Sequence, residues 1–408
     1  MYGVRTIYST NHRKELLTTM KLICSKSNLL HGVNIVSKAV PTRTTMAILE
    51  CILIDASANE IKLTANDMEL GIETKIEGEI AERGVIALDA KIFSEIVRKL
   101  PDSDVVIETD ASFKTTITCE KAKFNIVGKS GDDFSYIPYI ERNEAITLSQ
   151  FTLKEVIRQT IFSIADNDNN KLMTGELFEI EENHLKVVSL DGHRISIRNI
   201  ELKNNYEHKK VVVPGKTLSE VLKLLKDSEG EAEICPSRRH ILFRIDNYTV
   251  ISALLEGEFL DYKSALPKDK KTEVTVSTRT MIESVERVSL LITDRLKSPV
   301  RCVIGEDTVK LFCTTTMGRA TDQISAEISG DQLEIGFNNK YLLDALRAAE
   351  TDEVRLQLDA RSAEGGRRVF VPRPAGAPAQ RNVINVSHSV YCSRTSVTTF
   401  VKHQLVKF

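Results

Sequence analysis

No two of the seven cysteines (Cys24, Cys51, Cys119, Cys235, Cys302, Cys313 and Cys392) stand in a CxxC pair, and their number is odd. Neither a disulfide framework nor a zinc knuckle is suggested, and free thiols in a reducing cytoplasm are the expectation. No apolar run approaches the roughly 18 to 20 residues of a membrane span, and the N-terminal stretch carries charges without a signal peptide's apolar centre. The expected chain is soluble, not exported, and has no membrane partner. A surplus of one charge is missing too, since 55 Lys and Arg face 57 Asp and Glu for a net charge of -2. Overall basicity therefore cannot grip nucleic acid, and any such contact must come from a locally basic face.

Phosphate and metal motifs are also lacking. Gly215-Lys216-Thr217 follows a valine-rich strand and opens a helix, but Lys210 stands where a P-loop requires glycine. Asp166, Asp168 and Asn170 imitate the start of a calcium loop, yet Lys171 replaces its glycine and Leu177 its bidentate glutamate. No metal and no cofactor is expected. Asp191 and His193 pair a carboxylate with an imidazole, but no nucleophile motif accompanies them and the Asp-Gly pair between marks a turn. A turn or binding surface is the better reading, and no catalytic residue is assigned.

What is present is a repeat. Ile61-Lys62-Leu63, Leu185-Lys186-Val187 and Val309-Lys310-Leu311 recur at steps of 124 residues. A second motif keeps nearly the same period: DAKIFSEIVRKL, PGKTLSEVLKLL and NNKYLLDALRAA align at Lys91, Lys216 and Lys340. Two motifs in one register make the chain a triplicated domain, and the period is long enough for each copy to bury its own core.

Within each copy two helices are legible. The first carries Leu30, Val33 and Val36, or Ile157, Ile161 and Ile164, or Ile282, Val285 and Val288, at the spacing of one buried stripe. The second begins at Asp89, at Pro214-Gly215 or at Asn338, residues suited to a helix start. Alternating segments such as 240–245 and 308–313 read as antiparallel strands. The expected fold is α+β, three tandem copies of a sheet with two helices on one side.

A basic residue follows each aligned lysine by seven positions: Lys91 with Arg98, Lys216 with Lys223, Lys340 with Arg347. At about 100° per residue the two cations lie within roughly 20° of each other. Ile92, Phe93, Ile96, Val97 and Leu100 are expected on the opposite face. An acid four residues after each lysine (Glu95, Glu220, Asp344) offers a bland account, a solvated and paired surface. Its repetition in three copies favours a continuous phosphate-facing surface instead.

The third copy loses its pattern after Leu358, and from Gly365 to Phe408 there is no acidic residue. A one-base shift from Ala360 onward is compatible with the peptide PVQPKGDDAFSYLVLPVRL and allows a stop at Val383. The alternation of that string suits a closing strand, so the written C-terminus is read either as an out-of-frame segment or as a basic disordered tail.

With the MKLICSK opening, PTRTTMAILECILI, SLDGHR, EGEFLDYKSALP and IGFNNKYLLDAL, residues 20 to 358 resemble the bacterial DNA polymerase III beta subunits, the sliding clamp family. The resemblance implies a 1–19 extension, clamp domains at 20–141, 146–267 and 268–382 (altered after 358), and an unstructured tail at 383–408. It also implies a six-domain ring formed by a homodimer around double-stranded DNA. The partners it implies are the replicative DNA polymerase, a clamp loader and other proteins carrying a clamp-binding motif. Arg43 and Asn167 would join the helix cations at DNA. Met173, Leu190, Gly192, His193, Arg194, Ile195 and Pro267 would form a pocket for partner peptides. Phe124 and Ile126 would meet Leu291 and Ile292 of a second chain. The family's closing strand, which supplies one pocket wall, is replaced here by PRPAGAPAQ, whose prolines cannot donate ladder hydrogen bonds. A protein-binding scaffold of three domains that never encircles DNA is the competing expectation.

Overall fold

The computed structural model describes residues 19–134, 138, 140, 145–166, 170–266, 271–293, 298–362, 384–391 and 397–402. They form two compact units, one built from the chain up to residue 150 with 223–253, the other from 151–222 with the chain from 254 onward. The division runs through the second repeat.

In the first unit the apolar-lysine-apolar motif behaves as its alternation requires, with Ile61 and Leu63 buried and Lys62 turned outward. Two sheets form. The smaller runs in the order Glu79–Glu82, Met20–Ser25, Asp104–Thr109, Lys114–Cys119, Ala122–Val127. The larger has nine strands, and its central joint pairs Leu70–Ile76 of the first repeat with Tyr248–Ala253 of the second, antiparallel. The expected single sheet per copy is corrected by this arrangement: the first repeat divides its strands between two sheets. Helix α1 (Lys26–Val36) starts at Ser25, whose hydroxyl accepts from the Asn28 amide. Its buried stripe is Leu29, Val33 and Val36, one residue earlier than expected at its start. Gly32 lets α1 approach the sheet, since a Cβ there would stand 2.6 Å from a methyl of Ile76. Helix α2 (Ala90–Lys99) is capped by Asp89, whose carboxylate accepts from the Ile92 amide at 2.8 Å.

The second unit holds α3 (Gln150–Arg158) from Phe151 and α4 (Gly215–Leu224) up to Leu222, both of the second repeat, with α5 (Thr278–Ser289) and α6 (Asn339–Ala348) of the third. Helix α3 ends sooner than the Ile157, Ile161, Ile164 spacing implied. The Thr160 hydroxyl donates back to the Val156 carbonyl at 2.8 Å, and Ile161 belongs to a separate single turn. The third repeat closes a core of its own around Met281, Val285, Val288, Leu311, Leu342 and Leu346. Its strands are again shared by two sheets, a four-stranded one ending at Gly318–Ser325 and a seven-stranded one.

The expectation of an unstructured tail at 383–408 is also corrected. Ile384–Tyr391 and Val397–Lys402 are strands, and Val397–Lys402 pairs with Arg194–Pro214 while Ile384–Tyr391 pairs with Glu353–Ser362. Ile384, Val386 and Val390 alternate in the first segment, and the second is rich in β-branched residues, Val397, Thr398, Thr399 and Val401. The proline-rich 365–382 lies outside the described residues. Six cysteines are buried free thiols, and Cys392 lies outside the described residues.

Candidate nucleic-acid interface and peptide pocket

Helix periodicity sorts the cations as expected. Lys91, Arg98, Lys216, Lys223, Lys340 and Arg347 are all exposed, while Phe93, Val97, Leu218, Val221, Leu342 and Leu346 are buried beneath them. Ile92 corrects the reading of α2, being 51% exposed. It lies about 100° round the helix from Lys91, on the flank rather than on the far side. Arg43 is exposed in the loop before Cys51–Asp55, and Asn167 falls outside the described residues.

The acids do not pair as local spacing suggests. Glu95 bonds Arg98 rather than Lys91, and Asp344 is taken by Arg194 at 2.7 Å rather than by Lys340. Lys91 and Lys340 have no ion pair among the described residues, so two of the three aligned lysines keep their charge available. Arg347 is held at 2.7 Å by Glu286 of α5.

Of the residues expected to form a peptide pocket, Leu190, Arg194 and Ile195 lie on the paired strands Gly175–Leu190 and Arg194–Pro214, Gly192 and His193 in the turn between them, and Met173 in the single turn Lys171–Thr174. Leu190 joins Leu177, Val188 and Ile197 in one apolar cluster, against which Met173 and Ile195 pack. Between the strands lies the SLDGHR turn. Asp191 accepts from the amides of His193 at 2.9 Å and Arg194 at 3.0 Å, and Gly192 sits at φ +82 with open space around it. That is the turn expected of an Asp-Gly pair. Pro267 lies outside the described residues.

Arg194 is the surprise of this site, because its side chain is only 6% exposed. Its Nε donates to Asp191 at 3.0 Å, one terminal nitrogen to Asp344 and the other to the Phe162 carbonyl. Its guanidinium also lies 4.4 Å from the Tyr341 ring centre and 5.4 Å from that of Phe162. His193 stacks on Tyr341 at 6.2 Å. A second strut joins α3 to α6: Arg158 pairs with Glu350 at 2.9 Å and donates to the Arg347 carbonyl at 3.4 Å. Burial pushes the Glu155 carboxyl up, but hydrogen bonds from Arg158 and Glu350 outweigh it and hold the group below its usual range. Glu350 is pushed above its usual range by its contact with Glu155 and by burial. Phe162, Tyr341 and Asp344 escaped the sequence reading as site residues. Only Asp344 had left a trace, as an acid wrongly assigned to Lys340.

Phe124 and Ile126 are half-buried on Ala122–Val127, an edge strand of its sheet. Leu291 and Ile292 are half-buried after α5, beside Leu290 at 80% exposure.

Comparison with known proteins agrees along the chain. Residues 20–138, 147–261 and 263–363 match the N-terminal, central and C-terminal domain models of the DNA polymerase III beta subunit. A beta sliding clamp of Staphylococcus aureus strain Mu50 is 32% identical over 367 residues, covering 88% of this chain and 96% of the relative. The crystal structure of a putative DNA polymerase III beta subunit from Eubacterium rectale is 57% identical, with a TM-score of 0.85, covering 95% of this chain and all of that one. A sliding clamp from Bartonella birtlesii, solved bound to griselimycin, is 25% identical with a TM-score of 0.82, covering 96% of this chain and all of that one.

Proposed function

Since the chain belongs to the DNA polymerase III beta subunit family, we propose that it is a sliding clamp, a non-catalytic ring that encircles duplex DNA and tethers the replicative polymerase to it. The observation that carries this reading is the match of three consecutive clamp domains across nearly the whole chain. It leaves no support for the scaffold that never encircles DNA.

The mechanism is topological. Two chains closing head to tail surround the duplex, so escape requires opening the ring rather than breaking phosphate contacts. Those contacts can then be few and blind to sequence, which a net charge of -2 permits. Lys91, Arg98, Lys216, Lys223, Lys340 and Arg347, with Arg43 and Asn167, are the residues assigned to the phosphates. Their exposure on apolar-backed helices supports that assignment. The cluster of Met173, Leu190 and Ile195 beside the 191–194 turn, with Pro267, is assigned to the short peptides through which the polymerase, the clamp loader and other partners dock. Phe124 and Ile126 on an open strand edge are assigned to the contact with Leu291 and Ile292 of the second chain. The three domains are taken as 20–141, 146–267 and 268–382, and the site of action as the cytoplasm, where a bacterial replication clamp works.

Loading the protein on a nicked plasmid and then cutting that plasmid tests the reading. The protein should stay on the circle through a high-salt wash and leave once the DNA is linear. Equal loss from both forms would refute encirclement. Charge reversal at Lys91, Lys216 and Lys340 together should shorten retention on the circle at low salt, where phosphate contacts count most.

A further inference from the structure

We propose that the 191–194 turn and helix α6 behave as one mechanical body, so that a ligand in the peptide pocket and duplex DNA at α6 tighten each other's binding. This rests on the pocket and DNA-face assignments made above. Three contacts run from the turn to one face of α6: His193 onto Tyr341, Arg194 onto Tyr341, and Arg194 to Asp344. Tyr341 and Asp344 are one helical turn apart, and they lie between Lys340 and Arg347, the two cations of that helix.

Each of the three nitrogens of Arg194 already donates inside the protein, its guanidinium lies against the Tyr341 ring, and it is nearly buried. It therefore acts as a positioning residue, held by the protein on several sides. What it positions is double. On one side it fixes the turn whose neighbours Leu190 and Ile195 form the pocket wall. On the other it holds Asp344 in an ion pair of its own, and Lys340 has no ion pair among the described residues. Arg158, bonded to Glu350 and to the Arg347 carbonyl, pins the far end of the same helix.

Ordering the turn thus orders the helix. A ligand that immobilises the pocket has already met part of the entropic cost of holding Lys340 and Arg347 against phosphates, and DNA does the same for the ligand. Positive linkage follows without a change of shape, and it must be equal in both directions. Couplings of this kind typically amount to about fivefold or more in affinity.

Griselimycin serves as the pocket probe, and the nicked plasmid as the DNA. Its affinity should be at least about fivefold higher for protein closed on the plasmid than for free protein. Asp344→Asn, which keeps the shape of the side chain and removes its charge, should bring that ratio close to one. Affinity for the free variant is measured beside it, so that a change in the pocket itself is separated from a change in the ratio. Hydrogen exchange of the α6 amides should slow on griselimycin binding in the unsubstituted protein and not in the variant. Should Asp344→Asn fail to fold, Tyr341→Leu removes the two ring contacts and is read by the same ratio. A ratio of one in the unsubstituted protein, or a ratio that survives in the folded variant, overturns the proposal. The underlying assignments have separate controls. Griselimycin binding unaffected by Met173→Lys would remove the pocket, and plasmid retention unaffected by Lys340→Glu would remove the role of α6 at DNA.

Discussion

Glu176 should make the second repeat less stable as pH rises, and a single substitution should abolish that dependence. The residue sits on Gly175–Leu190 with no exposed surface, and neither carboxyl oxygen has a hydrogen-bond partner among the described residues. Burial pushes its carboxyl well above the usual range, offset only slightly by Thr160, whose hydroxyl proton is directed at the Val156 carbonyl. The folded state therefore keeps a proton that the unfolded chain releases near pH 4.3. Where the native state binds the extra proton, stability falls with rising pH, by at most about 1.4 kcal/mol per unit for one group. The loss begins above the unfolded value and continues until the folded carboxyl ionises. Glu176→Gln removes the titration and keeps the shape, so the stability difference between variant and parent should widen steadily from pH 5 to pH 8. Glu176→Leu should go further, because leaving a buried polar group unsatisfied costs about 1–3 kcal/mol. Hydrogen exchange of the amides in Gly175–Leu190, followed across this pH range, reads the effect where it arises. Identical pH dependence in the parent and in Glu176→Gln would refute the reasoning.

Two further outcomes are expected. Phe124→Asp or Leu291→Asp should convert a native mass of twice 45.7 kDa into a single chain's mass by placing a charge in an apolar strand contact, and a dimer persisting in both variants would remove the assigned interface. The gene's codons from Ala360 should yield PVQPKGDDAFSYLVLPVRL in the shifted frame, and a chain ending that way should bind griselimycin more tightly and melt later in its third repeat. Equal affinity for the two chains would show that the written C-terminus completes the pocket as well.

The parts of this structure that could be read from sequence are those in which a local period dominates. Apolar-lysine-apolar alternation placed Ile61, Lys62 and Leu63 correctly in and out of the core, and the step of seven put six cations on open helix faces. Asp89 and Asn338 cap α2 and α6 as their side chains suggest. Failures came where a distant partner outbids a near one. Asp344 lies one turn from Lys340 but is bonded to Arg194, 150 residues away, since a nearly buried guanidinium with fixed geometry is a stronger partner than a solvated lysine. The joint between Leu70–Ile76 and Tyr248–Ala253 is made by backbone groups, which carry no side-chain signature. Nothing in the sequence marks Glu176, because a buried carboxyl without a partner breaks the rule by which strand interiors are recognised.

The open edge at Ala122–Val127 bears on how this protein must be handled. An unpaired strand is a template for any other strand, and Lys123 together with the exposed Val127 gives it one charged guard and one apolar invitation. On the interface assigned above, that edge is covered by a second chain in the ring. By mass action the species at risk of misassembly is then the separated monomer, so dilution, which rescues most aggregation-prone proteins, would be the condition that exposes this one.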